Sequence, residues 1–90
     1  MACRVPDADA LGLILREVDD VIAVSDAEVA QAMRALFADT HNVAEGAGAA
    51  ALAGALRQRD RWAGQSIGLA LTGGNVDSDV FARVLAGGCV

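Results

Sequence analysis

Ninety residues with 54% apolar side chains and a net charge of −5 make one small domain or a piece of a larger one. A chain of this length buries only about 60–65% of its unfolded surface, so an apolar share above the usual ~45–50% argues against disorder and points to a partner or a missing half. Twelve acidic and seven basic residues, with 3% aromatics, leave little to neutralise phosphates or stack on bases, which argues against nucleic acid as a partner.

All seven basic residues are Arg, and the chain contains no Lys and no Tyr. Chemistry that needs a lysine nucleophile or base therefore cannot come from these residues alone. The two cysteines, Cys3 and Cys89, read as free thiols in a reducing cytoplasm. The longest weakly apolar run, residues 46–56, is Ala- and Gly-rich and too short to span a bilayer. The first four residues carry no apolar stretch of the signal-peptide kind.

Pro6 precedes a helix that Asp7 is placed to cap. Leu11, Ile14, Leu15 and Val18 follow at helical spacing. Asp20–Val24 is a short β-branched run and predicts a buried strand. Ser25 and Glu28 form an S-x-x-E capping box, and Val29, Ala32, Met33, Leu36 and Phe37 give the next helix one apolar face, ending near 40–42. Val43-Ala44 reads as a short extended step. From Glu45 onward the Gly- and Ala-rich run predicts a helix whose small residues let another backbone or a flat ligand approach, turning charged at 57–61 and stopping near Gly64. Ile67–Leu71 predicts a second buried strand, Thr72–Asn75 a tight turn, and Asp77 or Ser78 the cap of a last helix through Phe81, Val84 and Leu85.

The order helix, strand, helix, helix, strand, helix indicates an α/β fold with a parallel pair of strands. Two strands are too few for an independent sheet, so the pattern reads as the end of a larger doubly wound domain.

Several motifs point to chemistry only formally. The run Gly46-Ala-Gly48-Ala-Ala-Ala51 fits G-x-G-x-x-G/A, but Thr72 ends the following strand where a ribose-binding acid is expected, so close helix packing is the better reading. Asn75-x-Asp77-x-Asp79 opens like a calcium loop but lacks its later Gly and Glu, and His41 has no companion at ligand spacing; no metal site is expected. Two residues stand out. Glu45 opens the small-residue helix, where the dipole favours a carboxylate. Thr72 ends the second predicted strand, where open α/β sheets bind ligands.

Glu45-Gly-Ala-Gly-Ala, the Ala-Leu-rich helix after it, and Leu71-Thr-Gly-Gly-Asn-Val-Asp77, preceded by Val18-Asp-Asp-Val-Ile-Ala-Val-Ser-Asp-Ala-Glu28, resemble one family in order and spacing. They are similar to the C-terminal part of the catalytic domain of threonine/serine dehydratases (threonine ammonia-lyases), pyridoxal-phosphate (PLP) enzymes of the tryptophan-synthase-β fold. The resemblance covers nearly the whole chain and implies that residues 1–90 are a partial catalytic domain. It implies that Thr72 hydrogen-bonds the pyridine nitrogen of PLP. Most such dehydratases have Ser or Cys at this position, and Thr keeps the hydroxyl. It further implies that Glu45 lies near the cofactor ring and that Gly73 and Gly74 let the backbone come close to it.

The family's PLP-anchoring lysine, its glycine-rich phosphate cradle and its substrate-carboxylate loop all lie upstream of the region resembled. The expectation is a fragment that is inactive alone and binds no PLP covalently. Its partner would be the missing N-terminal half. The alternative is a non-catalytic module, derived from the same fold, that associates with itself or with another protein. A remnant that holds PLP non-covalently through Thr72 and Glu45 is a third reading.

Overall fold

A computed structural model describes residues 4–89. Among these residues four α-helices form: α1 (Ala8–Glu17), α2 (Asp26–Thr40), α3 (Gly46–Arg57) and α4 (Ser78–Leu85), with a short 3₁₀ turn at Arg59–Trp62. The local signals for α1 and α2 operate as the sequence predicts. Asp7 Oδ2 accepts from the Ala10 N–H at 3.0 Å. Ser25 Oγ accepts from the Glu28 N–H at 3.1 Å, while Glu28 Oε1 accepts from the Ser25 N–H at 2.9 Å. This reciprocal cap satisfies two of the orphan donors at the start of α2.

The core lies where α2 packs on α3 and α4. Among the described residues its eight buried hydrophobic side chains are Val29, Ala30, Ala32, Met33, Ala44, Ala49, Ala53 and Val84, so five are alanines. Small side chains on α3 bring its axis close to α2, but they bury little area each. Phe37 and Phe81 meet edge to face, with centroids 5.5 Å apart, and fasten α2 to α4. Arg34 donates to the carbonyls of Val84 at 3.0 Å and Gly88 at 3.2 Å, which closes the end of α4. There the Gly88 N–H reaches the Arg83 carbonyl and the Gly87 N–H that of Val84. This Schellman closure needs Gly87 at φ 102°.

The Glu28 carboxyl is held below its ordinary value of 4.5, first by the Ser25 backbone N–H, then by the Ser25 side chain, with Arg57 adding to the effect. A depressed carboxyl stabilises the fold above its unfolded value and loses that contribution as pH falls through the folded one. Stability is therefore expected to drop below about pH 4.5 in part through Glu28. The substitution Ser25→Ala should cost about 1 kcal/mol at neutral pH and flatten this acid limb. Urea midpoints measured from pH 6 to 3 check both effects.

The two predicted strands do not form. Residues 21–25 and 65–71 run without helix, turn or bend, and the described residues contain no strand. Neither segment is buried as expected: Val21 is 74% exposed and Leu69 46%. The physical reason is the absence of a neighbour. A strand exists by its ladder, and no backbone group of residues 22–24 or 66–72 makes a hydrogen bond to any described residue. The expected tight turn at Thr72–Asn75 is not found either; the local closure is a narrower one, from the Val76 N–H to the Gly74 carbonyl at 3.0 Å.

Apolar surface stays uncovered elsewhere too. Helix α1 has no buried residue and packs on no other element, so Leu11, Ile14 and Leu15 lie exposed. The radius of gyration is 14.2 Å, against about 12 Å for a compact chain of this length. Cys89 is an exposed free thiol; Cys3 lies outside the described residues.

Candidate functional site at the start of the small-residue helix

Helix α3 begins at Gly46, with Glu45 as its N-cap. The Glu45 side chain makes no cap hydrogen bond; its backbone N–H instead donates to the Gly73 carbonyl at 3.1 Å. That bond joins the Val43–Glu45 step to the Thr72–Asn75 segment, so Glu45 and Thr72, 27 positions apart in sequence, come to the same end of α3.

Three glycines make this approach possible. A Cβ on Gly48 would collide with the backbone of Gly73. A Cβ on Gly73 would collide with Glu45 Oε1, and one on Gly74 with the Val43 carbonyl oxygen. The obstacle is backbone for Gly48 and Gly74, so it cannot rotate away. Gly73 and Gly74, expected to make room for a cofactor ring, thus first make room for residues 43–45. Sequence reasoning did not single out Gly48. Its signal was the Gly-x-Gly spacing that opens α3, which by itself does not reveal which backbone it admits.

The four predicted site residues therefore cluster. Glu45 and Gly73 are half-buried, and Thr72 and Gly74 are exposed. The Thr72 hydroxyl has no hydrogen-bond partner among the described residues. It is free to donate or accept one bond, beside a helix N-terminus that favours negative charge. His41 stands apart as the left-handed C-cap of α2, at φ 59°, with Nδ1 3.1 Å from the Phe37 carbonyl. Asp77 caps α4 without a side-chain bond. Among the described residues no three His, Cys, Asp or Glu side chains gather as metal ligands would.

The sequence profile of the family described as "Pyridoxal-phosphate dependent enzyme" matches residues 1–73, which takes in α1 to α3 and extends through Thr72 and Gly73. The chain belongs to this family. Its curated relatives include an L-threo-3-hydroxyaspartate ammonia-lyase from Pseudomonas, 39% identical over 82% of this chain and 24% of the relative. An L-threonine ammonia-lyase from Thermotoga maritima is 32% identical over 100% of this chain and 22% of its own length. An L-threo-3-hydroxyaspartate ammonia-lyase from Saccharomyces cerevisiae is 37% identical over 82% of this chain and 23% of its own. The chain thus spans about a quarter of the length of the curated relatives it matches. No solved structure gives a significant match.

The residues present fit one edge of PLP. An unpartnered neutral hydroxyl at Thr72 suits a ring nitrogen, and the sequence has no lysine that could anchor the aldehyde. Among the described residues no helix is long and apolar enough to cross a membrane.

Proposed function

We propose that these 90 residues are a segment of the catalytic domain of a PLP-dependent ammonia-lyase of the threonine/serine dehydratase type. In that enzyme an amino acid with a β-hydroxyl yields ammonia and a 2-oxo acid. The observation that carries the reading is the Glu45 N–H bond to Gly73, which sets the free Thr72 hydroxyl beside the start of α3. PLP, when bound, supplies the electron sink for the pair released at the substrate α-carbon.

Thr72 would hydrogen-bond the pyridine nitrogen. A neutral hydroxyl does not force a proton onto that nitrogen as a carboxylate would, so the sink is tempered, which suits elimination of a β-hydroxyl better than transamination. Glu45 would lie at the ring's side. The anchoring lysine and the phosphate cradle must come from the remaining part of the fold, so the 90 residues alone are inactive and hold no PLP covalently. The exposed Cys89 thiol fits a reducing, cytoplasmic setting.

A second reading, a self-associating or protein-binding module, draws on the uncovered apolar face of α1. Sedimentation decides between the two. A stable oligomer of the chain alone that ignores PLP favours the module.

The test of Thr72 uses a chimera in which these 90 residues replace the matched stretch of the Thermotoga maritima L-threonine ammonia-lyase, a match that covers 100% of this chain. The substitution Thr72→Val keeps the shape and removes the hydroxyl. It is expected to change the PLP absorption spectrum and lower turnover about tenfold or more, the scale of one lost hydrogen bond. Thr72→Ser should retain both. An unchanged spectrum and rate in Thr72→Val would refute the assignment.

A further inference from the structure

Arg34 sits half-buried in the middle of α2. Its Nη1 donates to two backbone carbonyls at the end of α4, Val84 at 3.0 Å and Gly88 at 3.2 Å. Arg57 and Arg61 instead pair with the carboxylates of Glu28 and Asp20. A guanidinium on the carbonyls of a helix C-terminus is favoured twice, by charge-assisted hydrogen bonds and by the negative end of the dipole. The second acceptor is delivered by a glycine. A Cβ on Gly88 would lie 2.8 Å from Arg83 Cγ and 3.0 Å from the Arg83 carbonyl oxygen, so a side chain there pushes the Gly88 carbonyl away from Arg34.

The clamp acts along α4 toward the site. Phe37, one turn beyond Arg34 on α2, meets Phe81, one turn before Val84 on α4, so the two helices run antiparallel. The start of α4 therefore lies toward the end of α2, from which the chain runs on to Glu45. Helix α4 is only about 12 Å long. Its N-cap Asp77 makes no side-chain bond, and among the described elements it packs on α2 alone. Just ahead of it Val76 packs on the core, and the Val76 N–H bonds the Gly74 carbonyl. The Thr72–Gly74 segment is thus pinned at two points. The Glu45 N–H holds Gly73, and α4 sets how far the chain is drawn along α2.

We propose that Arg34 is a positioning residue for the ammonia-lyase site: by holding the end of α4 it sets where the Thr72 hydroxyl stands. The proposal rests on the assignment of Thr72 to the ring nitrogen; the clamp itself stands on the geometry of α2 and α4.

The absorption spectrum and steady-state kinetics of the chimera test it. Arg34→Met keeps an unbranched stem and removes the donors. It is expected to move the PLP absorption in the same direction as Thr72→Val and to lower kcat about threefold to tenfold, the scale of one weakened hydrogen bond. The KM for threonine should change less than about twofold, because the group displaced serves the reaction and not the binding of substrate. Arg34→Lys keeps a cationic donor and should restore the parent spectrum. In the Thr72→Val background, Arg34→Met should lower kcat by less than a further factor of about two, because the group that it positions is already gone. Ser25→Ala is the stability control. It loosens the start of α2 without touching α4 and should leave the spectrum unchanged.

A lowered melting temperature with the parent's spectrum and kcat in Arg34→Met would reduce the clamp to a fold contact and overturn the proposal. Effects of Arg34→Met and Thr72→Val that multiply in the double variant would overturn it as well. A Thr72→Val variant without effect would overturn the reading of the site, and the positioning role with it. Where Arg34→Met keeps the chimera from folding, Gly88→Ala tests the same contact with Arg34 in place, and the same outcomes decide.

Discussion

Truncation of Met33 to alanine is expected to remove most of the chain's stability. Met33 is fully buried and is the largest side chain in the core. Five of the eight core residues are alanines, so few large groups remain to compensate. Deleting a buried Met side chain costs about 2–5 kcal/mol, and a 90-residue domain has about 5–13 kcal/mol in total if it is well packed. This chain stands at the low end, since α1 and both would-be strands contribute little buried area. The volume-conserving Met33→Leu should cost less than about 1.5 kcal/mol. Urea titrations followed by far-ultraviolet circular dichroism measure both. A Met33→Ala midpoint equal to the parent's would mean that the α2–α3–α4 contact is not the core.

The second large effect is expected at Gly48. On helix propensity alone, Gly48→Ala should stabilise α3 by up to about 1 kcal/mol. The collision of its Cβ with the Gly73 backbone opposes this. Overpacking against atoms that cannot rotate away costs about 1–3 kcal/mol, and the Glu45–Gly73 hydrogen bond adds about 1 kcal/mol if it is broken. The net effect is destabilising and local. The Glu45 amide should lose its protection from hydrogen exchange while amides in the middle of α2 keep theirs. In the chimera, turnover should fall about a hundredfold, because a displacement of about 1 Å at a positioned group costs that much. A stabilised chain with Glu45 still protected would show that α3 and the Gly73 segment do not depend on a bare glycine face.

What was legible in the sequence follows the range of the interactions. The Asp7 and Ser25–Glu28 caps bond within three residues, so they could be read directly and set the starts of α1 and α2. The apolar face of α2 was likewise written in its spacing, and Val29, Ala32 and Met33 are buried as expected. Asp20–Val24 and Ile67–Leu71 have the composition of buried strands, but burial and pairing require neighbours that the described residues do not supply. Those segments are therefore the part the structure leaves exposed and unpaired.

The site divides in the same way. Thr72 and Glu45 could be named from motif order, yet their meeting depends on a backbone bond between residues 45 and 73, and no local pattern encodes it. Gly48 was hidden for that reason, because a glycine in an alanine-rich helix looks like ordinary close packing until the backbone that it admits is known.

Threonine turnover by the chimera tests the central claim most directly. The chain alone should release no ammonia from threonine, with or without added PLP. Joined to the remainder of the Thermotoga maritima enzyme, it should produce ammonia and a 2-oxo acid in equal amounts. A chimera that folds and binds PLP but leaves threonine untouched, or turnover by the 90 residues alone, would contradict the account.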